Sequence, residues 1–115
     1  MKMHLDKIYF DYIKNKVKIY ETRVYDKKRQ EIKLLEEIVF LERGSKRSFK
    51  ARIIELSHYK NFKDAIKDVG VKKVLPNAKS LNEAVKIYEK FPHDDGSYKE
   101  GAKKYGVLRI KFKLL

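Results

Sequence analysis

The last stretch of this chain limits its fold more than any other. In residues 107–115, VLRIKFKLL, the apolar Leu108, Ile110, Phe112 and Leu114 alternate with Arg109, Lys111 and Lys113. Side chains alternate across a strand, so four apolar groups share one face and three cations the other. A one-residue slip would reverse every one of them, so the register is set by whatever covers the apolar face. The chain must build a sheet with one face laid against a core.

Residues 17–29, VKIYETRVYDKKR, read as a second strand that carries charge where a core strand should not. Val17, Ile19, Glu21, Arg23 and Tyr25 share one face, and Lys18, Tyr20, Thr22 and Val24 the other. A buried charge is tolerated only when it is paired or hydrogen-bonded. Glu21 and Arg23 therefore either satisfy each other or line a cleft that receives a ligand. Lys18 has the opposite parity, so Lys18 and Glu21 reach one cleft only through a bulge or a strand end. Asp26 starts a turn. Lys27, Lys28 and Arg29 follow it, too dense to be neutralised locally.

The remaining elements are modest. Residues 3–5 form a short first strand. Asp6 caps a helix with the stripe Ile8, Tyr9, Tyr12 and Ile13, ending near Asn15. A strand at 38–41, a turn at 43–46 and a long strand at 47–59 make a hairpin. On that long strand Phe49, Ala51 and Ile53 alternate with Lys50 and Arg52, which puts two cations side by side. Asn61 caps a second helix with the stripe Phe62, Ala65, Ile66 and Val69, and Gly70 stops it. Ser80 and Glu83 form a capping box, after which Leu81, Ala84, Val85 and Tyr88 face the core. Residues 92–96, PHDDG, are a loop, and 98–104 a short helical turn. The fold class is α+β: one domain over residues 1–115, a curled or closed, mostly antiparallel sheet with about three helices around it.

Composition narrows the function. The chain has 115 residues and no cysteine, which excludes disulfides and thiolate metal sites and fits a cytoplasmic protein. No apolar run reaches membrane-spanning length, and MKMHLDKIYF has no signal-peptide core, so no membrane partner is expected. The abundance of Lys, Glu and Ile with a single glutamine, Gln30, is thermophile-like. That bias normally balances lysine with glutamate, whereas here 29 Lys+Arg face 16 Asp+Glu, a net charge of +13. Such a field attracts polyanions, of which nucleic acid is the commonest. His4, His58 and His93 are far apart, and His93-Asp94-Asp95, the one candidate metal cluster, reads as a polar loop. No metal or cofactor is expected. No Gly-rich phosphate loop is present.

In this order the elements resemble an ASCH domain of the PUA-like superfamily. The resemblance rests on Lys18, Glu21, Arg23, Asp26 and Arg29, then Phe40 and the helix opened by Ser80. It ends on Tyr105-Gly106-Val107-Leu108 with Ile110 and Phe112. It covers essentially the whole chain. It implies a β-barrel flanked by helices, with a cleft along residues 18–23 that holds RNA or a nucleotide. Two departures stand out. Lys16 lies where the family has a glycine before the lysine. Leu35-Glu36 replaces Gly-Asp before the third strand, which predicts a different turn. Some members deacetylate acetylcytidine through a lysine, a threonine and a glutamate. Those positions fall on Lys18, Glu21 and about Asn77, so only the lysine is kept.

Two functions follow. The first is a nucleic-acid-binding module, RNA before DNA or a small nucleotide. Lys18, Lys28, Arg29, Lys50 and Arg52 would meet phosphates. Arg23 would bond a base or phosphate bidentately beside Glu21, and Tyr20 and Tyr25 would stack on bases. The alternative is an enzyme on RNA or a modified nucleoside, a ribonuclease or amidohydrolase centred on Lys18 and Glu21. The missing nucleophile or its equivalent weighs against catalysis.

Overall fold

A computed structural model describes residues 1–93 and 96–115. In chain order the elements are β1 (Lys2–Leu5), α1 (Lys7–Lys14), β2 (Tyr20–Val24), a 3-10 turn (Arg29–Glu31), β3 (Glu37–Glu42) and β4 (Ser48–Tyr59). Then come α2 (Phe62–Lys67), α3 (Val71–Val74), α4 (Leu81–Glu89), β5 (Pro92–His93), β6 (Gly96–Ser97), α5 (Tyr98–Tyr105) and β7 (Val107–Leu114). Five strands form one curled sheet in the order β1-β3-β4-β7-β2, and β5 and β6 form a separate ladder. β1 runs parallel to β3, and the other neighbours in the main sheet are antiparallel.

The alternation in β7 is realised as expected. Register sets Met3 beside Phe40, Ile38 beside Ala51 and Ile53 beside Phe112, all on one face. Phe10 and Ile13 of α1 pack into that inner face with Leu108 and Ile110. Each such buried side chain contributes roughly 1.5–3 kcal/mol. The outer face of β2 and β7 is also covered. Tyr20, Val24 and Val107 pack against Phe62, Ala65 and Ile66 of α2, Ala84 and Tyr88 of α4, and Ala102 of α5. Arg109 is buried there, donating to the Ala65 carbonyl at 2.9 Å with its guanidinium between the rings of Tyr20 and Tyr59, at 5.0 and 4.9 Å. Cation–π contact and that carbonyl make the burial tolerable.

Several expectations change. The sheet is a half-barrel, open between its edge strands β1 and β2. The described residues hold five α-helices rather than three, because α3 and the full α5 add to the capped ones. Residues 92–93 and 96–97 pair as β5 and β6, so the loop expected there is a small ladder. Asp94 and Asp95, and with them the His93-Asp94-Asp95 cluster, lie outside the described residues. The α1 stripe is Phe10 and Ile13; Ile8 is exposed. Asp6 occupies the N-cap position without a capping bond and instead pairs with Arg43 at 3.0 Å. Asn61 and Ser80 cap as expected, accepting from the amides of Asp64 and Glu83. The Glu83 carboxylate bonds the amide of Lys79 rather than Ser80. Among the described residues no helix is long and apolar enough to cross a membrane.

β2 begins at Tyr20, three residues later than the strand pattern predicts, and Val17 is exposed. Lys16 explains the delay. Its φ of 62° is left-handed, and the chain turns there so that the amides of Val17 and Lys18 both bond the Tyr12 carbonyl. Leu35 is left-handed as well, with φ 70°. Both positions where the resemblance calls for glycine thus take the backbone conformation that glycine adopts without strain. The different turn expected at Leu35-Glu36 is a left-handed one carried by leucine.

Candidate functional site

β2 is a sheet edge, and an edge strand leaves backbone groups unpaired. Here charged side chains occupy that edge. The Lys18 ammonium donates to the Tyr20 carbonyl at 2.7 Å, and the Glu21 carboxylate accepts from the Thr22 amide at 3.0 Å. Lys18 precedes the strand, so strand parity does not bind it. This is the strand-end route by which Lys18 and Glu21 reach each other, at 3.2 Å.

The cluster is fully engaged. Lys18 is 1% exposed, and its ammonium also meets the Val74 carbonyl and the Tyr88 hydroxyl. Glu21 Oε1 further accepts from the Tyr88 hydroxyl at 2.7 Å, and Oε2 from Arg23 at 3.3 Å. Arg23 reaches across the open seam to the His4 carbonyl of β1, at 3.3 Å, and donates to the Tyr98 hydroxyl at 3.4 Å. Burial lowers the pKa of Lys18, against the pull of Glu21. Burial alone would raise Glu21, but the adjacent Lys18 and Arg23 and the Tyr88 hydrogen bond hold it below the usual carboxylate range. Burial and the Glu21 charge push the Tyr88 phenol well up. The Glu21 carboxylate thus lies between the Lys18 and Arg23 nitrogens, which favour its ionised form.

Above it lies a cleft of about 80 Å³ in the seam, lined by His4, Asp6, Tyr9, Glu21, Thr22, Arg23, Arg43, Tyr88, Phe91 and Tyr98 among others. By the same measure one water needs roughly 10–15 Å³, so the cleft takes several waters or the edge of a ring. Its walls combine aromatic side chains, two arginines and the Asp6 carboxylate.

The residues singled out from sequence do not gather in one place. Glu21 and Arg23 line the cleft. Lys18 is buried beneath it, so it supports Glu21 rather than presenting charge to a phosphate. Tyr20 is buried on the other side, under Arg109 and Lys111, where no base can stack on it. Tyr25 packs on His58 with ring centres 4.3 Å apart. Arg29 is half-buried and bonds Asp26 at 3.3 Å, while Lys28 is exposed. His93 binds the same Asp26 carboxylate at 2.8 Å. Lys50 and Arg52 lie on the outer face of β4, and Arg52 is tied to Glu37 at 3.3 Å and to the Leu35 carbonyl at 3.0 Å.

Tyr9, Arg43, Tyr88, Phe91 and Tyr98 join the site without having been singled out for it. Tyr88 reads as a core residue of α4. The signal that it does more is its hydroxyl, because a buried tyrosine needs a polar partner and the charged β2 edge offers one. Asn77, the third position by resemblance, is exposed and lies near the Tyr9 phenol, where it partly offsets the rise in pKa that burial imposes.

No family model matches the chain, and no curated protein does. Solved structures do, among them the following two. Hypothetical protein PH0355, known from a crystal structure, is 34% identical, with 99% of this chain and 97% of that one covered and a TM-score of 0.81. Protein PF0455 from Pyrococcus furiosus, solved by NMR in solution, is 32% identical over 99% of this chain and 96% of that one, with a TM-score of 0.73. Identity above 30% over nearly the whole of both chains is a family relation, and the chain belongs to the family of PH0355 and PF0455.

Proposed function

We propose that this protein is an ASCH-type, PUA-like RNA-binding module that docks a nucleotide over the seam between β1 and β2, with the edge of its base entering the cleft. The observation that carries the reading is the convergence of Arg23 and Arg43 with Tyr9, Phe91 and Tyr98 around one cleft, in a chain of net charge +13. All three hydrogen bonds of Arg23 are long, 3.3–3.4 Å, so its donors are free to exchange for a phosphate or a base edge. Aromatic walls suit a base, and a carboxylate at the rim, Asp6, accepts from a ribose hydroxyl, which favours RNA over DNA. Lys18, Glu21 and Tyr88 hold Arg23 in place from below. Lys28, exposed after β2, and Lys50, exposed on the outer sheet, add long-range attraction.

The test is binding of short single- and double-stranded RNA and DNA across a salt series, for wild type, Arg43→Ala and Arg23→Lys. Arg23→Lys keeps the buried charge but not the fork. Expected are an RNA preference, affinity that falls linearly on a log–log salt plot, and a loss of about tenfold in each variant. Affinity unchanged in both variants refutes the seam as the site.

A catalytic reading is favoured by one observation, the approach of Lys18 to Glu21 from the strand end. Mass analysis of the same samples detects cleaved RNA or a deacetylated nucleoside. Turnover that disappears in Glu21→Gln would replace the module with an enzyme.

A further inference from the structure

We propose that the protein has a second docking site, on the free edge of β7, for an extended acidic peptide. β2 pairs with β7 only as far as Tyr20 opposite Lys111, yet β7 continues to Leu114. Upstream of Tyr20 the chain peels away, the Ile19 amide bonding the Lys73 carbonyl at 3.0 Å. Residues 112–114 therefore have β4 on one side and no strand on the other.

The alternation of an antiparallel ladder says which groups are left over. The Tyr20 carbonyl and Thr22 amide bond side chains at the outer edge of β2, so Glu21 and Arg23 turn their backbone groups toward β7. Glu21 faces Ile110. Two and four residues on, the amides and carbonyls of Phe112 and Leu114 point the same way, beyond the end of β2. Among the described residues no loop backbone group bonds them.

These groups border a groove of about 270 Å³ with a floor of Ile13, Ile19, Ile54 and Leu114. A bulge between Ile53 and Glu55 takes Ile54 out of the β4–β7 pairing and leaves it 41% exposed. Lys16, Lys18, Lys111 and Lys113 line the groove and no carboxylate does; Lys18 is buried and tied to Glu21, while the other three make no ion pair among the described residues. An unpaired edge with an aliphatic floor suits a strand added from outside, whose alternate side chains enter the groove. The lysines set its sign. They repel another basic strand, including a second copy of this +13 chain, and they complement carboxylates. Nucleic acid fits less well, because Phe112, the only ring in the groove, is buried.

The test is a titration of the intact protein with a short acetylated peptide alternating valine and glutamate, followed by amide NMR and fluorescence anisotropy. A valine–lysine counterpart and oligouridylate are run alongside. Expected are saturable binding of the acidic peptide only, and shifts centred on Ile19, Ile54, Phe112 and Leu114. The double variant Lys16→Glu with Lys113→Glu, both at exposed positions, should lose at least about tenfold in affinity. Ile54→Asn should weaken binding while the amide spectrum stays folded. No saturable binding, equal binding by the lysine peptide or undiminished affinity in the double variant overturns the proposal. So does oligouridylate moving the same amides, which would make the groove part of the nucleic-acid surface.

Discussion

Glu21→Gln isolates the buried charge cluster. The substitution keeps the shape of the side chain and removes the one negative charge lying between Lys18, at 3.2 Å, and Arg23, at 3.3 Å. Both cations stay buried, because Lys18 is pinned by carbonyls of Tyr20 and Val74 and Arg23 is only 9% exposed. Removing one partner of a buried pair costs about 3–5 kcal/mol. An unfolding entropy near ~2.1 cal/mol/K per residue makes 1 kcal/mol worth about 4 °C at this chain length, so Tm should fall by roughly 12–20 °C. Thermal and guanidinium unfolding followed by circular dichroism at pH 7 measures it. Because the folded pKa of Glu21 lies below its ordinary value, its contribution is complete above that ordinary value. It is lost as pH falls through the folded pKa. The gap between wild type and variant should therefore close in acid. Lys18→Met should cost less in the Glu21→Gln variant than in wild type, with a coupling of about 1–3 kcal/mol. A Glu21→Gln variant within about 1 kcal/mol of wild type at pH 7, or a gap that does not change with pH, would refute the idea that the carboxylate neutralises two buried cations.

Three further outcomes are expected. Lys16→Gly and Leu35→Gly, at φ 62° and 70°, should each raise Tm by about 2–4 °C by removing left-handed strain, since Leu35 is largely exposed and loses little burial. Gly106→Ala should destabilise by about 3 kcal/mol in a denaturant melt. Its φ is 80°, and a Cβ there would sit 2.8 Å from the Tyr59 carbonyl oxygen. Arg109→Lys should lower Tm by about 8 °C, because an ammonium cannot lie flat between the rings of Tyr20 and Tyr59 while reaching Ala65.

What could be read from the residues was what is local. The alternation in β7 requires one buried face, and the caps at Asn61 and Ser80 act within their own helical turns, so these elements form as their patterns dictate. The start of β2 was not local. Lys18 leaves the strand because Lys16 turns left-handed and because two amides find Tyr12 and one finds Lys73, residues on α1 and α3. Tyr20 and Arg109 looked outward by parity, yet α2, α4 and α5 cover that face, which only the tertiary fold decides. Glu21 and Arg23 could be picked out as charges needing partners. Their partners could not, because Tyr88, Tyr98 and His4 come from three distant elements. The cleft itself exists because the sheet stops short of closing between β1 and β2, a matter of strand order rather than of any motif.

The most direct test of the seam as the nucleotide site is amide chemical-shift mapping of the intact protein with a short single-stranded RNA at moderate salt. Shifts should cluster on Asp6, Tyr9, Thr22, Arg23, Arg43 and Tyr98, around the opening between β1 and β2. Shifts confined to Lys50, Arg52 and the outer face of β4, with the seam silent, would contradict the seam as that site.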